Sequence, residues 1–198
     1  MRLFVLARHA ESTLNFERRV NGDPTRPAPL TNRGREEARL LGMQIGCVPL
    51  ELAVHTRFAR TRETADAATG GRLRLVEEPL FDDIDVGELE GAPIDEYRVV
   101  KRRLGRATCF PGGESLDEAA RRYARGYWRL LERSGAATLV VLHEIPLRYA
   151  LNAARGSDEL DGPLHEIPNA LPFLFDEDAL ARAVKRIEQL AAATSAPR

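Results

Sequence analysis

Cysteine is scarce in this chain of 198 residues, and long apolar runs are lacking. Two cysteines, Cys47 and Cys109, do not make a disulfide framework, and we expect both to be reduced thiols. No apolar stretch approaches the ~18 residues that a membrane-spanning helix needs. The run from Met1 to Ala7 is too short for the core of a secretion signal, so it predicts a first strand. These features favour a cytoplasmic protein.

An excess of charge of either sign is also lacking. Lys plus Arg number 29 and Asp plus Glu number 30, which gives a formal net charge of -1. Proteins that bind nucleic acids or membrane surfaces usually carry a basic excess, so we expect neither partner. Hydrophobic residues make up 43% and charged residues 30%, as in ordinary globular proteins. The length predicts a single domain over residues 1–198.

Short apolar runs alternate with helical patterns along the chain. The runs predict strands at Leu3–Ala7, Leu50–Val54, Arg72–Val76, Thr138–Leu142 and Asn169–Phe175, the last at a sheet edge because it contains a proline. The helical patterns lie at Thr31–Ile45, Arg57–Ala68, a stretch capped by Ser115, Ile145–Arg155 and Asp178–Leu190. The segments 21–29 and 105–113 predict loops, since both are rich in Gly or Pro. Strands that alternate with helices predict an α/β sandwich.

Histidines and arginines follow three of the predicted strands. Arg8 and His9 follow the first, Arg57 and Arg60 follow the second, and His143 follows the fourth. Ligands of open α/β sheets bind beyond the carboxyl ends of the strands, so we expect these side chains at one rim. Arginine forks match phosphate, and a neutral histidine can act as a nucleophile. Arg8 and Arg60 should lower the pKa of His9 and keep its attacking nitrogen unprotonated.

Cleavage of a phosphate ester also needs a proton for the leaving oxygen. The candidate donors are the acids that crowd the loop after the third predicted strand: Asp82, Asp83, Asp85, Glu88 and Glu90. His143 and the arginines can stabilise the charge that develops on the transferred group. The chain lacks the His and Cys spacings typical of metal sites, so we expect no metal.

Several motifs follow one another in a characteristic order. They are A-R-H-A-E (Ala7–Glu11), Asn15, Asn21-Gly22, P-L-T-N-R-G (Pro29–Gly34), T-R-F-A-R-T-R-E-T-A (Thr56–Ala65), D-D-I-D-V-G-E-L-E-G (Asp82–Gly91), P-G-G-E-S (Pro111–Ser115) and V-V-L-H (Val140–His143). The ordered set resembles the histidine phosphatase (phosphoglycerate-mutase-like) superfamily, on its phosphatase branch. In that family the P-G-G-E-S motif lies near the substrate.

The resemblance implies a role for each matched residue. His9 would be the nucleophile that forms phosphohistidine, and Asp83 would protonate the leaving group and then deprotonate water. The phosphoryl group would be held by Arg8, Arg60 and His143, with further contacts from Asn15, Asn21 and Gly22. The family implies no metal or organic cofactor, and it leaves a homodimer open.

Three residues depart from the family pattern. Ala10 and Glu144 stand where glycine is usual, and Asp83 stands where glutamate is commoner. Because Asp83 is one methylene shorter, Glu88 or Asp85 could contribute to proton transfer. An inward carboxylate at Glu144 would oppose phosphate, so we expect it to point away or to pair with an arginine.

Other charged residues carry weaker signals. Five cations lie between Arg98 and Arg106. A solvated helix face is the simpler interpretation, and a basic rim that selects multiply phosphorylated substrates is the alternative. His55 and His165 match no family role, and Arg57 and Arg62 are expected at the surface or the rim.

The expected fold is a three-layer α/β/α sandwich around a mostly parallel sheet, with a small cap from an insertion at about residues 82–113. The tail from about residue 192 should be frayed. The leading function is a phosphatase that acts on a small phosphomonoester through a phosphohistidine on His9. One alternative is a phosphoglycerate mutase, which returns the phosphoryl group to a bound product; mutases of this family are usually longer. The other is a non-catalytic module that binds phosphorylated ligands, motivated by the three departures.

Overall fold

The computed structural model describes residues 2–133 and 135–193. Within them lies one sheet of five strands: β1 (Leu3–Arg8), β2 (Leu52–His55), β3 (Arg74–Glu77), β4 (Ala137–Leu142) and β5 (Pro172–Asp176). The strand order is β3-β2-β4-β1-β5. Strands β1 to β4 pair in parallel, and β5 runs antiparallel to β1 at the edge. The mostly parallel sheet and the edge position of the last strand are therefore confirmed.

Seven α-helices lie in the same described residues. They are α1 (Thr13–Phe16), α2 (Asn32–Gln44), α3 (Ala59–Thr69), α4 (Ile94–Leu104), α5 (Leu116–Glu132), α6 (Glu144–Ala154) and α7 (Glu177–Ala193). Thr31 caps α2, and Ser115 caps α5 through a capping box with Glu118. The sequence pattern predicts α2, α3, α5, α6 and α7, indicates α4 only through the basic run Arg98–Arg106, and misses the one-turn α1.

The layers follow from the alternation of side chains along the strands. Val5 and Ala7 of β1 face one way and pack in a core with residues of α2 and α3. Phe4 and Leu6 face the other way and pack with residues of α5, α6 and α7. Successive strand side chains point to opposite faces of a sheet, so a central sheet between two helical layers results. This is the expected three-layer α/β/α sandwich.

Some predicted boundaries are wrong. The second and third strands begin two residues later than predicted, because β2 starts only where β4 offers a partner, with Leu52 opposite Thr138. Helix α7 continues to Ala193 and buries Ala191, so the predicted frayed tail falls on the residues after it. Residues 194–198 lie outside the described part of the chain.

The predicted cap segment, residues 82–113, contains a short 3-10 turn (Gly87–Leu89) and α4. Helix α4 packs Ile94, Tyr97, Val100 and Leu104 against the core that contains α5 and α6. These positions recur at helical spacing, so α4 lays one apolar face on the domain and leaves its cations on other faces. Among the described helices, none combines the length and apolarity that crossing a membrane requires.

Candidate active site

His9 lies directly after β1 and is almost fully buried, with 2% of its surface exposed. Its Nδ1 is 2.8 Å from the carbonyl oxygen of Ala10, and its Nε2 is 3.0 Å from Nε of Arg60. A carbonyl accepts and a guanidinium donates, so the proton belongs on Nδ1 and the lone pair on Nε2. Burial lowers the pKa of His9 well below its usual 6.5, and Arg60 and Arg8 lower it further. The sequence predicts the effect of the arginines but not the larger effect of burial.

Arg60, in the first turn of α3, connects the parts of the site. Its side chain is buried and donates to five acceptors. They are Nε2 of His9 (3.0 Å), Oδ1 and the carbonyl oxygen of Asn21 (the latter at 3.1 Å), Oδ2 of Asp83 (3.1 Å) and Nδ1 of His143 (3.1 Å). One guanidinium thus fixes the relative positions of both histidines and one carboxylate.

His143 follows β4 and is fully buried. Because Arg60 donates to its Nδ1, its Nε2 carries the proton and donates to Oγ1 of Thr56 at 2.9 Å. The Thr56 hydroxyl lies 2.8 Å from that of Thr61, which donates to the carbonyl of Phe58. Burial, and then the charge of Arg60, lowers the pKa of His143 well below its usual value. The two threonines belong to the motif Thr56–Ala65, but their support of His143 is not evident from the sequence.

Asp83 is the one acid of the five candidates that reaches this hollow. Its Oδ2 lies 3.1 Å from Nη2 of Arg60 and 3.4 Å from Nδ1 of His143. Burial raises its pKa above the usual 3.8, although the charge of Arg60 acts in the opposite direction. A partly desolvated carboxyl of this kind retains a proton more readily than an exposed one.

The other four acids have different positions. Asp82 pairs with Arg57, and Glu90 accepts from the backbone amides of Gly22 and Asp23. Asp85 and Glu88 are exposed, and neither lies in the wall of the cleft that contains His9. The expectation that Asp85 or Glu88 assists Asp83 is therefore wrong, because their backbone positions turn both side chains to solvent.

Arg8 and Glu144 form an ion pair on the wall of the hollow. Nη1 of Arg8 lies 2.8 Å from Oε2 of Glu144 and donates to the carbonyl of Ile167 at 2.7 Å. Oε1 of Glu144 is 3.1 Å from Nη1 of Arg148. Nε of Arg8 is buried. Glu144 thus pairs with arginine, as the sequence led us to expect, and the Nε hydrogen of Arg8 has no acceptor among the described residues.

The three predicted phosphate contacts differ in position. Asn15 lies in the cleft wall, but its Oδ1 accepts from the Ser12 amide at the start of α1. Asn21 lies in the wall and is held by Arg60. Gly22 lies outside the wall of this cleft, and its amide donates to Oε2 of Glu90 at 2.6 Å, so the predicted phosphate contact of Gly22 is not met. A Cβ at Gly22 would come within 2.2 Å of the carbonyl oxygen of Ile84, which explains why glycine stands there.

The hollow opens into a cleft of about 1220 Å³ whose outer wall is rich in cations: Arg18, Arg19, Arg98, Lys101, Arg102, Arg106 and Arg148. Lys101 and Arg106 are half-buried and pair with Asp161. The simpler interpretation of the basic run, a solvated helix face, is therefore wrong for these two residues and holds for exposed Arg103. The reason is that α4 turns its carboxyl-terminal half toward the loop that carries Asp161.

The remaining polar candidates lie outside the hollow around His9. His55 is buried outside this cleft, and its Nδ1 lies 2.6 Å from the carbonyl of Thr56. His165 is exposed at the cleft wall, and Arg62 is exposed. Asn169, which the sequence does not single out, donates to the carbonyl of His9 at 2.6 Å. Across residues 2–133 and 135–193, no group of three or more His, Cys, Asp or Glu side chains is placed to hold a metal ion.

A buried histidine with an unprotonated nitrogen, two arginines, a second histidine and a carboxyl group thus meet in one hollow. The chain belongs to the histidine phosphatase superfamily (branch 1), whose family model matches residues 4–194. It is 30% identical over 193 residues to the 2,3-bisphosphoglycerate-dependent phosphoglycerate mutase 2 of Gloeobacter violaceus, which covers 90% of this chain and 87% of that protein.

Solved structures have the same fold. YhfR from Bacillus stearothermophilus superposes with a TM-score of 0.77, at 25% identity, over 89% of this chain and 91% of its own. The alpha-ribazole phosphatase from Shigella flexneri superposes with a TM-score of 0.76, at 20% identity, over 88% of this chain and 90% of its own. The second likeness concerns the fold alone.

Proposed function

We propose that this protein hydrolyses phosphate monoesters of small molecules by forming, and then hydrolysing, a phosphohistidine on His9. The observation that carries the proposal is the orientation of His9. Its unprotonated Nε2 lies 3.0 Å from a guanidinium nitrogen of Arg60, at the floor of a cleft with basic walls. A neutral imidazole beside fixed positive charge is a nucleophile in a site that attracts phosphate.

The first half of the reaction transfers the phosphoryl group to the enzyme. The lone pair of His9 Nε2 forms a bond to phosphorus, the ester P–O bond breaks, and Asp83 gives its proton to the departing oxygen. Arg8 and Arg60 donate to the non-bridging oxygens; His143 Nδ1 becomes a third donor once it is protonated, which the negative charge of phosphate favours. The bond from His9 Nδ1 to the Ala10 carbonyl stabilises the positive ring that results.

The second half returns the enzyme to its starting state. Asp83, now ionised, takes a proton from water, and the water oxygen attacks phosphorus. The P–N bond breaks, its electron pair returns to Nε2 of His9, and inorganic phosphate leaves. The raised pKa of Asp83 supports both steps, because a carboxyl that titrates nearer to working pH can serve as acid and as base.

Water access favours hydrolysis over transfer back to a bound product. Side chains in the cleft wall such as Arg18 and Glu166 are 63% and 82% exposed, so the cleft is in contact with solvent. The specific observation in favour of a mutase is the relative of 30% identity that carries that name. A mutase would use the same first half of the reaction and exclude water from the second.

The central test is turnover of p-nitrophenyl phosphate by the wild type and by His9→Ala. We expect His9→Ala to lose at least about a thousandfold in kcat, as removal of a covalent nucleophile does. His165→Gln is the matched control, because His165 is an exposed histidine of the same cleft. Intact-mass measurement after rapid quenching at alkaline pH should show a phosphoryl adduct in the wild type and none in His9→Ala.

Two results would replace the proposal by an alternative. Rapid interconversion of phosphoglycerate isomers in the presence of a bisphosphoglycerate primer, without free phosphate, would identify a mutase. Equal inactivity of the wild type and His9→Ala over a broad pH range, with binding of a phosphorylated ligand retained, would identify a non-catalytic module.

A further inference from the structure

The loop that carries Asp83 lies outside the helices and strands of the sandwich. It follows the 3-10 turn at Pro79–Phe81 and precedes the turn at Gly87–Leu89. The sheet pairing that positions His9 and His143 therefore does not fix Asp83. Other groups must hold this backbone if the carboxyl is to stay 3.1 Å from Arg60.

One arginine of α5 donates to three backbone carbonyls in this loop and in the turn before it. Nη1 of Arg122 donates to the carbonyl oxygens of Leu80 at 3.0 Å and Asp82 at 2.9 Å. Nη2 donates to the carbonyl oxygen of Asp83 at 3.3 Å. The planar fork of arginine can span several acceptors in this way, which the single ammonium group of lysine cannot.

Glu114, from the P-G-G-E-S motif, holds both Arg122 and the next part of the loop. Its carboxylate accepts from Nε and Nη2 of Arg122, and its Oε1 accepts from the Asp85 amide at 3.1 Å. The Glu114 amide donates to the Asp85 carbonyl at 3.0 Å. The preceding Gly113 permits this approach, because a Cβ there would come within 2.4 Å of the Asp85 carbonyl oxygen.

The motif acts on the site indirectly. Neither Glu114 nor Arg122 lies in the wall of the cleft that contains His9, so the Glu114 side chain of the P-G-G-E-S motif does not face the expected substrate position. Both line a smaller hollow of about 320 Å³ behind the loop, where Asp83 forms part of the wall as well. Their contacts with the loop are therefore made from the side opposite to the substrate.

We propose that Arg122 and Glu114 are positioning residues, which clamp the backbone of residues 80–85 so that Asp83 can reach the leaving oxygen. The inference rests on the proposed function, in which Asp83 is the proton donor. Aspartate has one methylene less than the family's glutamate, so it has less freedom to compensate for a displaced backbone. A shift of about 1 Å in a catalytic group can cost about a hundredfold in rate.

Arg122→Lys is the informative variant, because it keeps the positive charge and loses the fork. Arg125→Lys, at an exposed position of the same helix, is the matched control. Each protein is assayed for kcat/KM with p-nitrophenyl phosphate and with an alkyl phosphate such as glycerol phosphate. The alkoxide needs a proton from Asp83 far more than p-nitrophenolate does, and kcat/KM reports the step in which that bond breaks.

We expect Arg122→Lys to lose roughly tenfold or more with the alkyl phosphate and less than about threefold with the aryl phosphate. Asp83→Asn should show the same selectivity in stronger form, and Arg125→Lys should match the wild type. Glu114→Gln provides a second test if Arg122→Lys does not fold, and it should give the same pattern.

An equal loss of kcat/KM with both substrates, or no loss with either, would show that Arg122 and Glu114 do not position Asp83. If Asp83→Asn is selective and the clamp variants are not, the proposed function stands and only the clamp is wrong. If the wild type hydrolyses neither ester, the proposed function is wrong, and so is the positioning role proposed for Arg122 and Glu114.

Discussion

Glu144 offers a sharp test of the electrostatics of the site. Its carboxylate lies 2.8 Å from Nη1 of Arg8, on the side of the guanidinium away from the unpartnered Nε. An anion bound by Arg8 would therefore have a fixed negative charge nearby. Glu144→Gln removes that charge and keeps an oxygen that can accept from Arg8, so it should strengthen the binding of phosphate.

The size of the effect follows from the geometry. Two hydrogen bonds and the width of a guanidinium place a bound phosphate about 7 Å from the carboxylate. Glu144 is 28% exposed and its charge is offset by Arg8 and Arg148, so we take an effective dielectric of ~60, between the ~20 of a protein surface and the ~80 of bulk water. Each unit of charge is then repelled by about 0.8 kcal/mol, and a phosphate of about -1.5 to -2 by about 1.2 to 1.6 kcal/mol. We expect roughly tenfold tighter binding in Glu144→Gln.

The assay is competitive inhibition by inorganic phosphate, or calorimetry, at fixed pH and ionic strength. Glu166→Gln is the matched control, since it removes the same charge from an exposed position on the cleft wall and should change the Ki by less than about twofold. Glu144→Asp should resemble the wild type. A Ki in Glu144→Gln that is unchanged or weaker would refute the reasoning and indicate that the ion pair serves only to orient Arg8.

Two other predictions concern pH and packing. The proposed reaction needs unprotonated His9, whose pKa lies below 6.5, and protonated Asp83, whose pKa lies above 3.8, so kcat/KM should fall on both sides of an optimum. The alkaline limb should disappear in Asp83→Asn, and its persistence would assign it to another group. Leu41→Ala in α2 should cost about 2 to 5 kcal/mol of unfolding free energy because Leu41 is fully buried. Met43→Ala on the same helix should cost less than about 0.5 kcal/mol because Met43 is 77% exposed, and equal losses in denaturant titrations would contradict the packing.

The sequence predicts the parts of the fold that depend on local pattern. Fully apolar runs such as Thr138–Leu142 identify strands covered on both faces, and a hydroxyl at Thr31 or Ser115 identifies the start of a helix. The strand order does not follow from these signals, because each pairing joins segments far apart in the chain. The meeting of His9 and His143 could be predicted only because both end parallel strands, whose carboxyl ends share one edge.

The supporting contacts of the site were beyond prediction for the same reason. Arg122 is one of many arginines, and its contact with Asp82 spans 40 positions of sequence. No local pattern distinguishes it from exposed Arg125 on the next turn of α5. Gly22 shows a different limit. The motif singles out this glycine, but it does not reveal the close approach of the Ile84 carbonyl, which leaves no room for a side chain there.

Burial is the largest cause of the pKa shifts of both His9 and Asp83, and it moves them in opposite directions. Desolvation disfavours charge, so it favours the neutral imidazole and the protonated carboxyl, which are the forms that the proposed nucleophile and acid require. Arg60 keeps its charge under the same conditions, because a guanidinium is not deprotonated in proteins. In the proposed mechanism, a largely buried hollow around one permanent cation therefore provides nucleophile, acid and anion site together. A change that exposes this hollow to more water should therefore raise the pKa of His9 and lower the pKa of Asp83 together.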